Sequence, residues 1–528
     1  MGKYIFTNGK IFTGSVNNPF CDSLAVLGKF VLSAGTNEDV MRTTDSSFEV
    51  IDLMGKLLVP GFTDSHIHLL DYSLSLSRVY LDDVRSEEEA LSKLAEKVEV
   101  SRAGDWIIGN GWDKNVWDIP KWPAKESLDR VAPNNPVILY NKDLHSVWVN
   151  TLALKRAGLL DATLFVDGGV IERNPDDATP TGIIKENAVR LVTKAISPLD
   201  EEGILIALKR GIETLNEKGI VGVHDMNGTN FAEFIKLKQD EDLKVRVLSV
   251  IHASKLDEAI ELGFLTGFGD DLLKIGPLKL FADGSLGSQT AHVLKAYEDD
   301  PNNFGMATMS KEEIHFRVKK AAEAGISSAV HAIGDAANRN ILDIYESIKD
   351  ISEKRKLRHR IEHAQLLHPD DIKRFAELGI TASMQPVHIL QDIIAAERYW
   401  GNRSRWAYPF RSLLGIKTML AFGSDAPVAT IDPMKGIFSA VARRRLDNSP
   451  QTGWYSEERL TVEETIRAYT FNPAWLASDE KIRGKLISGR LADIAILSQD
   501  IFRIPVIEIP HTTVVATMVG GKFVHRTI

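Results

Sequence analysis

The 528-residue chain carries a net charge of −9, which argues against a nucleic-acid partner, since that would call for a basic patch. Its 44% hydrophobic and 26% charged content is ordinary for a soluble globular protein with room for several domains. The single cysteine, Cys21, excludes an internal disulfide and a cysteine-rich zinc site, and fits a reducing compartment.

The first residues read as strand, Asn8-Gly9 turn, strand, which is a hairpin signal and not the apolar core of a signal peptide. Phe6 stands where a myristoylation motif wants Ser or Thr, and no uninterrupted apolar run approaches the length of a membrane span. The expectation is a cytoplasmic protein with no membrane partner. Short apolar runs at residues 4–6, 10–12, 23–27, 30–33 and 48–53, separated by turns, predict a small antiparallel β unit over residues 1–58.

At Val59-Pro60-Gly61 the pattern changes, and an extended run then carries His66 and His68. Residues i and i+2 of a strand share a face, so the two imidazoles would project side by side, as two ligands of one metal must. Taken alone, His-x-His is equally a surface strand with two incidental histidines. More ligands downstream would decide it.

About 150 residues separate His68 from the next strand-like run, far beyond an ordinary connection. This predicts an inserted subdomain at about 72–210, holding five of the nine tryptophans: Trp106, Trp112, Trp117, Trp122 and Trp148. They would suit either a core of its own or an aromatic wall over a pocket.

Beyond the insertion, β-branched runs alternate with helix-length amphipathic stretches. The runs lie at 219–223, 245–251, 278–281, 326–330, 360–361, 380–384 and 419–422. Helices are predicted at 201–218, 311–324, 336–349 and 370–378. With the run at 62–68 this makes eight strands, which predicts a (β/α)8 TIM barrel. A doubly wound open sheet is the alternative, but no Gly-x-Gly-x-x-Gly turn supports a dinucleotide site. Two strand-like stretches, 489–497 and 514–525, close the chain, and with residues 1–58 they would form one discontinuous domain. The predicted division is therefore 1–58, a barrel over 59–480, and 481–528.

Barrel chemistry sits at the C-terminal ends of the strands. There the fifth run presents His331, the sixth Glu362-His363 and the eighth Asp425. Each alone is explained by a core histidine or a capping Asp, but together with His66 and His68 they form a set. The fourth run holds Lys279 among apolar neighbours, where it must snorkel, pair (with Asp283, for instance) or lose its charge. A neutral lysine amine can take up carbon dioxide to become a bridging carbamate.

These stretches, with Ile361-Glu362-His363, Gly423-Ser424-Asp425, Phe281-Ala282-Asp283-Gly284 and the late Gly489-Arg490-Leu491-Ala492-Asp493, resemble the amidohydrolase superfamily over most of the chain. The insertion and Phe281-Ala282-Asp283-Gly284-Ser285-Leu286-Gly287-Ser288 resemble the amidohydrolase family 3 branch, which includes N-substituted formamide deformylases. The resemblance implies a barrel with a β-sandwich built from both chain ends. It implies two divalent metals, zinc with manganese, iron or nickel as alternatives. His66, His68 and Asp425 would hold one, His331 and His363 the other, and carboxylated Lys279 would bridge them. Some relatives use a glutamate in place of that lysine, which makes Glu186 a competing candidate.

The expected activity is hydrolysis of a non-peptide carbon–nitrogen bond of a small molecule by metal-activated hydroxide, with Asp425 as the catalytic base. Ester, lactone or phosphoester hydrolysis at the same site is the alternative within enzymes. A non-catalytic regulatory barrel is the alternative outside them. Substrate contacts are expected from the insertion, through His145, Trp112 and Glu186, and a homo-oligomer is compatible with the sequence.

Overall fold

The computed structural model describes residues 2–81, 84–142, 146–160, 169–196 and 199–528. The chain divides into two compact units, Met1–Ser73 with Leu205–Ile528, and Leu74–Ile204.

In the larger unit eight strands follow one another in a parallel sheet: β1 (Phe62–Ile67), β2 (Ile220–Asp225), β3 (Arg246–His252), β4 (Leu273–Phe281), β5 (Ser328–Ala332), β6 (Arg360–His363), β7 (Thr381–Met384) and β8 (Leu420–Phe422). The sheet nearly closes on itself. Beyond the end of β8, the Asp425 N–H donates to the His66 carbonyl (2.7 Å) and the His68 N–H to the Ala426 carbonyl (2.9 Å). This is the predicted TIM barrel. Its helices start where the sequence offers caps. Ser310 accepts from the Glu313 N–H ahead of Lys311–Glu323, and Thr461 and Glu464 form a capping box before Val462–Tyr469.

Strands from both ends of the chain build two further sheets. One joins Phe30–Gly35, Ser23–Leu27, Lys3–Thr7 and Glu49–Asp52; the other joins Lys522–Arg526, Val514–Val519, Ile494–Leu497, Leu57–Pro60, Lys10–Phe12 and Phe20–Cys21. Phe6, Leu24 and Val26 of the first pack with Leu58, Ile494 and Met518 of the second in one buried cluster. Asn8 does turn the chain, at φ 56°, but the strands on either side of it enter different sheets and form no hairpin. The unit is not purely antiparallel either. Lys3–Thr7 pairs parallel with Glu49–Asp52, and Lys10–Phe12 pairs parallel with Leu57–Pro60. Gly9 permits this corner, because a Cβ there would lie 2.5 Å from the Leu53 Cβ and 2.7 Å from the Lys56 carbonyl oxygen.

Asp493, from the late Gly-Arg-Leu-Ala-Asp run, ties this β layer to the foot of the barrel. Both of its oxygens accept from Arg246 at the start of β3, at 2.7 and 2.8 Å. The pair is buried, where a bidentate guanidinium–carboxylate geometry is most selective.

The second unit carries its own six-stranded sheet, ordered Gly169–Arg173, Pro180–Glu186, Ser146–Val149, Val137–Asn141, Ile107–Trp112 and Val79–Tyr80, with apolar clusters of its own. No helix among the described residues is long and apolar enough to cross a membrane.

Candidate metal centre

Five of the six predicted ligands converge at the C-terminal mouth of the barrel, and Lys279 reaches toward them from β4. His66 lies near the end of β1 and His68 just past it, their ring centroids 5.8 Å apart. His331 on β5 stands 4.5 Å from His363 at the end of β6, and His363 stands 4.8 Å from His66. Asp425 follows β8, with Oδ1 3.3 Å from His66 Nε2 and 3.4 Å from His68 Nε2. Ligand atoms of His66, His363 and Asp425 all lie within 4.8 Å of one another, close enough to share one cation.

Two local devices produce this convergence. His363 and Asp425 both adopt left-handed backbone, at φ 72° and 61°, a conformation that costs a non-glycine residue free energy and turns each side chain off the line of its strand. Gly423 lets β8 approach β1, since a Cβ there would lie 2.5 Å from the His66 nitrogen and 2.7 Å from Asp64 Oδ1. Asp64 locks the approach by accepting the His66 and Ser424 N–H groups, each at 3.0 Å, while burial pushes its carboxyl up to about 6.

Outer partners set the tautomers. His66 Nδ1 lies 2.5 Å from Glu362 Oε2, His363 Nδ1 lies 2.7 Å from Gln385 Oε1, and His331 Nε2 lies 2.9 Å from the Gly284 carbonyl. Each acceptor requires an N–H on the ring nitrogen facing it. The other nitrogen, Nε2 of His66 and His363 and Nδ1 of His331, therefore keeps its lone pair for a metal. Burial holds His331 down to about 4, reinforced by Lys279, and burial with His331 beside it holds His363 well below its ordinary value. Both rings are thus neutral near pH 7, as ligands must be. Burial and Lys279 would also depress His66, but Asp425 and Glu362 outweigh them and raise it. That anionic pull favours any cation placed there. Burial would raise Asp425 too, yet His66 and His68 hold it well below the usual carboxylate range.

Lys279 is buried, and its Nζ has no hydrogen-bond partner among the described residues. Its ammonium lies 4.8 Å from the Phe281 ring centroid, and burial brings it down to about 8. Asp283 does not pair with it. That carboxylate instead accepts three peptide N–H groups, from His292 (2.9 Å), Ile333 (3.0 Å) and Gly334 (2.8 Å). An orphaned buried amine beside neutral imidazoles and an anionic Asp is a donor set that fits divalent metals bridged through a modified lysine.

A family profile described as the amidohydrolase family matches residues 49–525. The chain belongs to the amidohydrolase family. Protein LONG AFTER FAR-RED 3 of Arabidopsis thaliana is 34% identical, over 98% of this chain and 91% of its own. The N-substituted formamide deformylase of Arthrobacter pascens is 26% identical, over 99% of this chain and 98% of its own. The crystal structure of an uncharacterised metal-dependent hydrolase from Pyrococcus horikoshii OT3 aligns with a TM-score of 0.78 at 28% identity, covering 96% of this chain and 99% of that one.

The predicted substrate contacts of this amidohydrolase fare differently from its ligands. Trp112 is wholly buried inside the insertion unit, donating its indole N–H to the Leu139 carbonyl (2.8 Å) and packing against Trp117 and Trp148. Its side chain belongs to that unit's core. Glu186 lies at the exposed end of Pro180–Glu186 in the same unit. His145 lies outside the described residues.

Other groups at the site have roles that the sequence motifs did not assign. Glu362 accepts from His66 and from Arg360, whose guanidinium also reaches the Ser65 carbonyl (2.5 Å), Ser383 Oγ (2.6 Å) and His224 Nδ1 (2.8 Å). The signal was present: Arg360 and Glu362 are two residues apart in one strand and so share a face. His388 and Asp392, after β7, and Tyr408 carried no such pattern. Burial, then the Asp392 carboxylate and more distantly Asp425, hold the Tyr408 hydroxyl well above its usual pKa.

Proposed function

We propose that this amidohydrolase cleaves a non-peptide carbon–nitrogen bond of the amide type in a small molecule. Its family and donor set make it a metal-dependent hydrolase. The observation that carries the finer reading is the His66, His363 and Asp425 cluster beside a buried Lys279 on β4 whose amine has no hydrogen-bond partner among the described residues. The overall likeness to an N-substituted formamide deformylase supports the choice of bond.

In this reading His66, His68 and Asp425 would hold one divalent metal and His331 and His363 a second, and a carboxylated Lys279 would supply oxygen ligands beside them. When bound, such cations polarise a carbonyl and lower the pKa of water toward neutrality. The chain's own residues do the rest. Glu362, Gln385 and the Gly284 carbonyl fix the three rings, so the donor atoms need little reorganisation. Asp425, ionised at neutral pH, accepts a proton from the attacking water and returns it to the leaving nitrogen.

The test is a panel of small amides, lactones and phosphotriesters, assayed with zinc or manganese and after chelation. Metal-dependent turnover of amides is expected. Turnover of lactones or phosphotriesters with every amide inert would overturn the assignment.

A further inference from the structure

Phe281 ends β4, two residues beyond Lys279, and residues i and i+2 of a strand share a face. Lys279 reaches toward the ligand cluster, so Phe281 faces into the barrel as well. The register agrees. Phe281 is paired with His331 across β4 and β5, and their rings pack together, with centroids 5.5 Å apart and planes 39° apart. On the opposite face of the strand, Leu278 and Leu280 are fully buried.

Phe281 is not buried. It is 43% exposed, although its face of the strand looks into the barrel. The mouth is therefore open to solvent at this ring. The ligands show the same opening: the side chains of His68 and His331 are 25% and 13% exposed, against 1% for His66. Whatever reaches His331 from solvent meets the Phe281 ring beside it.

The ring is also held in place. The Phe281 carbonyl accepts the Thr308 hydroxyl at 3.0 Å, and the next peptide N–H, of Ala282, donates to the His331 carbonyl at 2.9 Å. A lone phenylalanine on an outer surface needs no functional account. One fixed against a metal-competent histidine, on the inner face of a barrel and still wet, is different. Small-molecule sites combine a few polar groups with apolar and aromatic lining, and water on an aromatic ring is released when an apolar group covers it.

We propose that Phe281 is a specificity-determining residue, which packs an aryl or branched-alkyl group attached to either end of the reacting amide. The proposal rests on the amide-hydrolase reading for its substrate class, but the preference for an apolar group is measurable without turnover.

The experiment is calorimetric binding of three hydroxamates, which grip divalent cations through two oxygens, to the metal-loaded full chain at pH 7. Acetohydroxamate is the reference, benzohydroxamate carries a phenyl group on the carbonyl carbon, and N-phenylacetohydroxamate carries it on the nitrogen. Wild type is expected to bind one phenyl probe roughly 10-fold more tightly than the reference, the worth of one aromatic contact with the area it buries. Which probe that is tells the acyl side from the amine side. Phe281→Ala should bring the preference within about threefold while metal content by elemental analysis stays at the wild-type level. Phe281→Gln, polar and of similar reach, should do the same, and it serves if the Ala variant does not fold. Phe281→Tyr keeps the ring and should keep the preference. No preference for either phenyl probe in wild type, or an unchanged one in Phe281→Ala or Phe281→Gln, would overturn the proposal, even in a protein that hydrolyses amides. A preference that these variants remove, in a protein that hydrolyses no amide, would support the role of Phe281 and refute only the reaction assigned to the site.

Discussion

Replacing Glu362 by Gln tests whether the buried network under the metal centre orients its ligands. Glu362 is fully enclosed and takes hydrogen bonds from His66 Nδ1 at 2.5 Å and from Arg360, through Nη2 at 2.9 Å and also through Nε. Burial alone would raise its pKa, but Arg360 and His66 hold it well below the ordinary value, so the wild-type group is an anion. Gln keeps one acceptor and turns a donor toward either the guanidinium or the imidazole. The Arg360 guanidinium is left with neutral partners only, and breaking a buried ion pair in this way costs about 3–5 kcal/mol. Because one acceptor survives, about 3 kcal/mol is expected. Loosening a partner of this kind typically lowers metal affinity or activity about 10–100-fold. The assay is metal retention against a graded chelator, followed by elemental analysis and kcat/KM on the best amide. A Glu362→Gln protein that retains metal like wild type, with kcat/KM within threefold, would show that Glu362 does not position His66.

Lys279→Ala should fall well short of two metal equivalents per chain and lose most activity, with partial recovery in millimolar acetate or propionate; full activity without added acid would remove its bridging role. Asp425→Asn should cost on the order of 10²-fold or more in kcat while the circular dichroism spectrum is unchanged. A loss of only a few-fold would mean that the proton is handled elsewhere. A pH test concerns His359, which burial holds down to about 3, its Nδ1 accepting the Ser328 N–H at 3.1 Å and its Nε2 lying 3.0 Å from Ser352 Oγ. Since the unfolded chain binds this proton near 6.5 and the folded one does not, the contribution is complete above that pH and is lost progressively as pH falls toward 3. Relative to His359→Gln, wild type should therefore lose up to about 1.4 kcal/mol per pH unit below 6.5 in urea unfolding, and a gap independent of pH would refute the linkage.

The barrel, the His66-x-His68 pair and the strand-end positions of His331, His363 and Asp425 were legible in the sequence. Each depends on a period of two or on where an apolar run stops, and both are local properties of the chain. Pairing partners were not legible. Asn8-Gly9 turns the chain as its composition predicts, but Lys3–Thr7 and Lys10–Phe12 find their parallel partners some forty residues or more away and in separate sheets. Trp112 could have faced a pocket or a core, and only the packing of Trp117 and Trp148 around it decided for the core. The same holds at the metal centre. Sequence supplies the imidazoles, but which nitrogen of His66 is free depends on Glu362, 296 residues away, and the isolation of the Lys279 amine depends on Asp283 having spent its oxygens on peptide N–H groups from beyond β4 and β5. A side chain's type is written in the chain, whereas its lone pairs, charge and partners are set by whatever the fold brings within hydrogen-bonding distance.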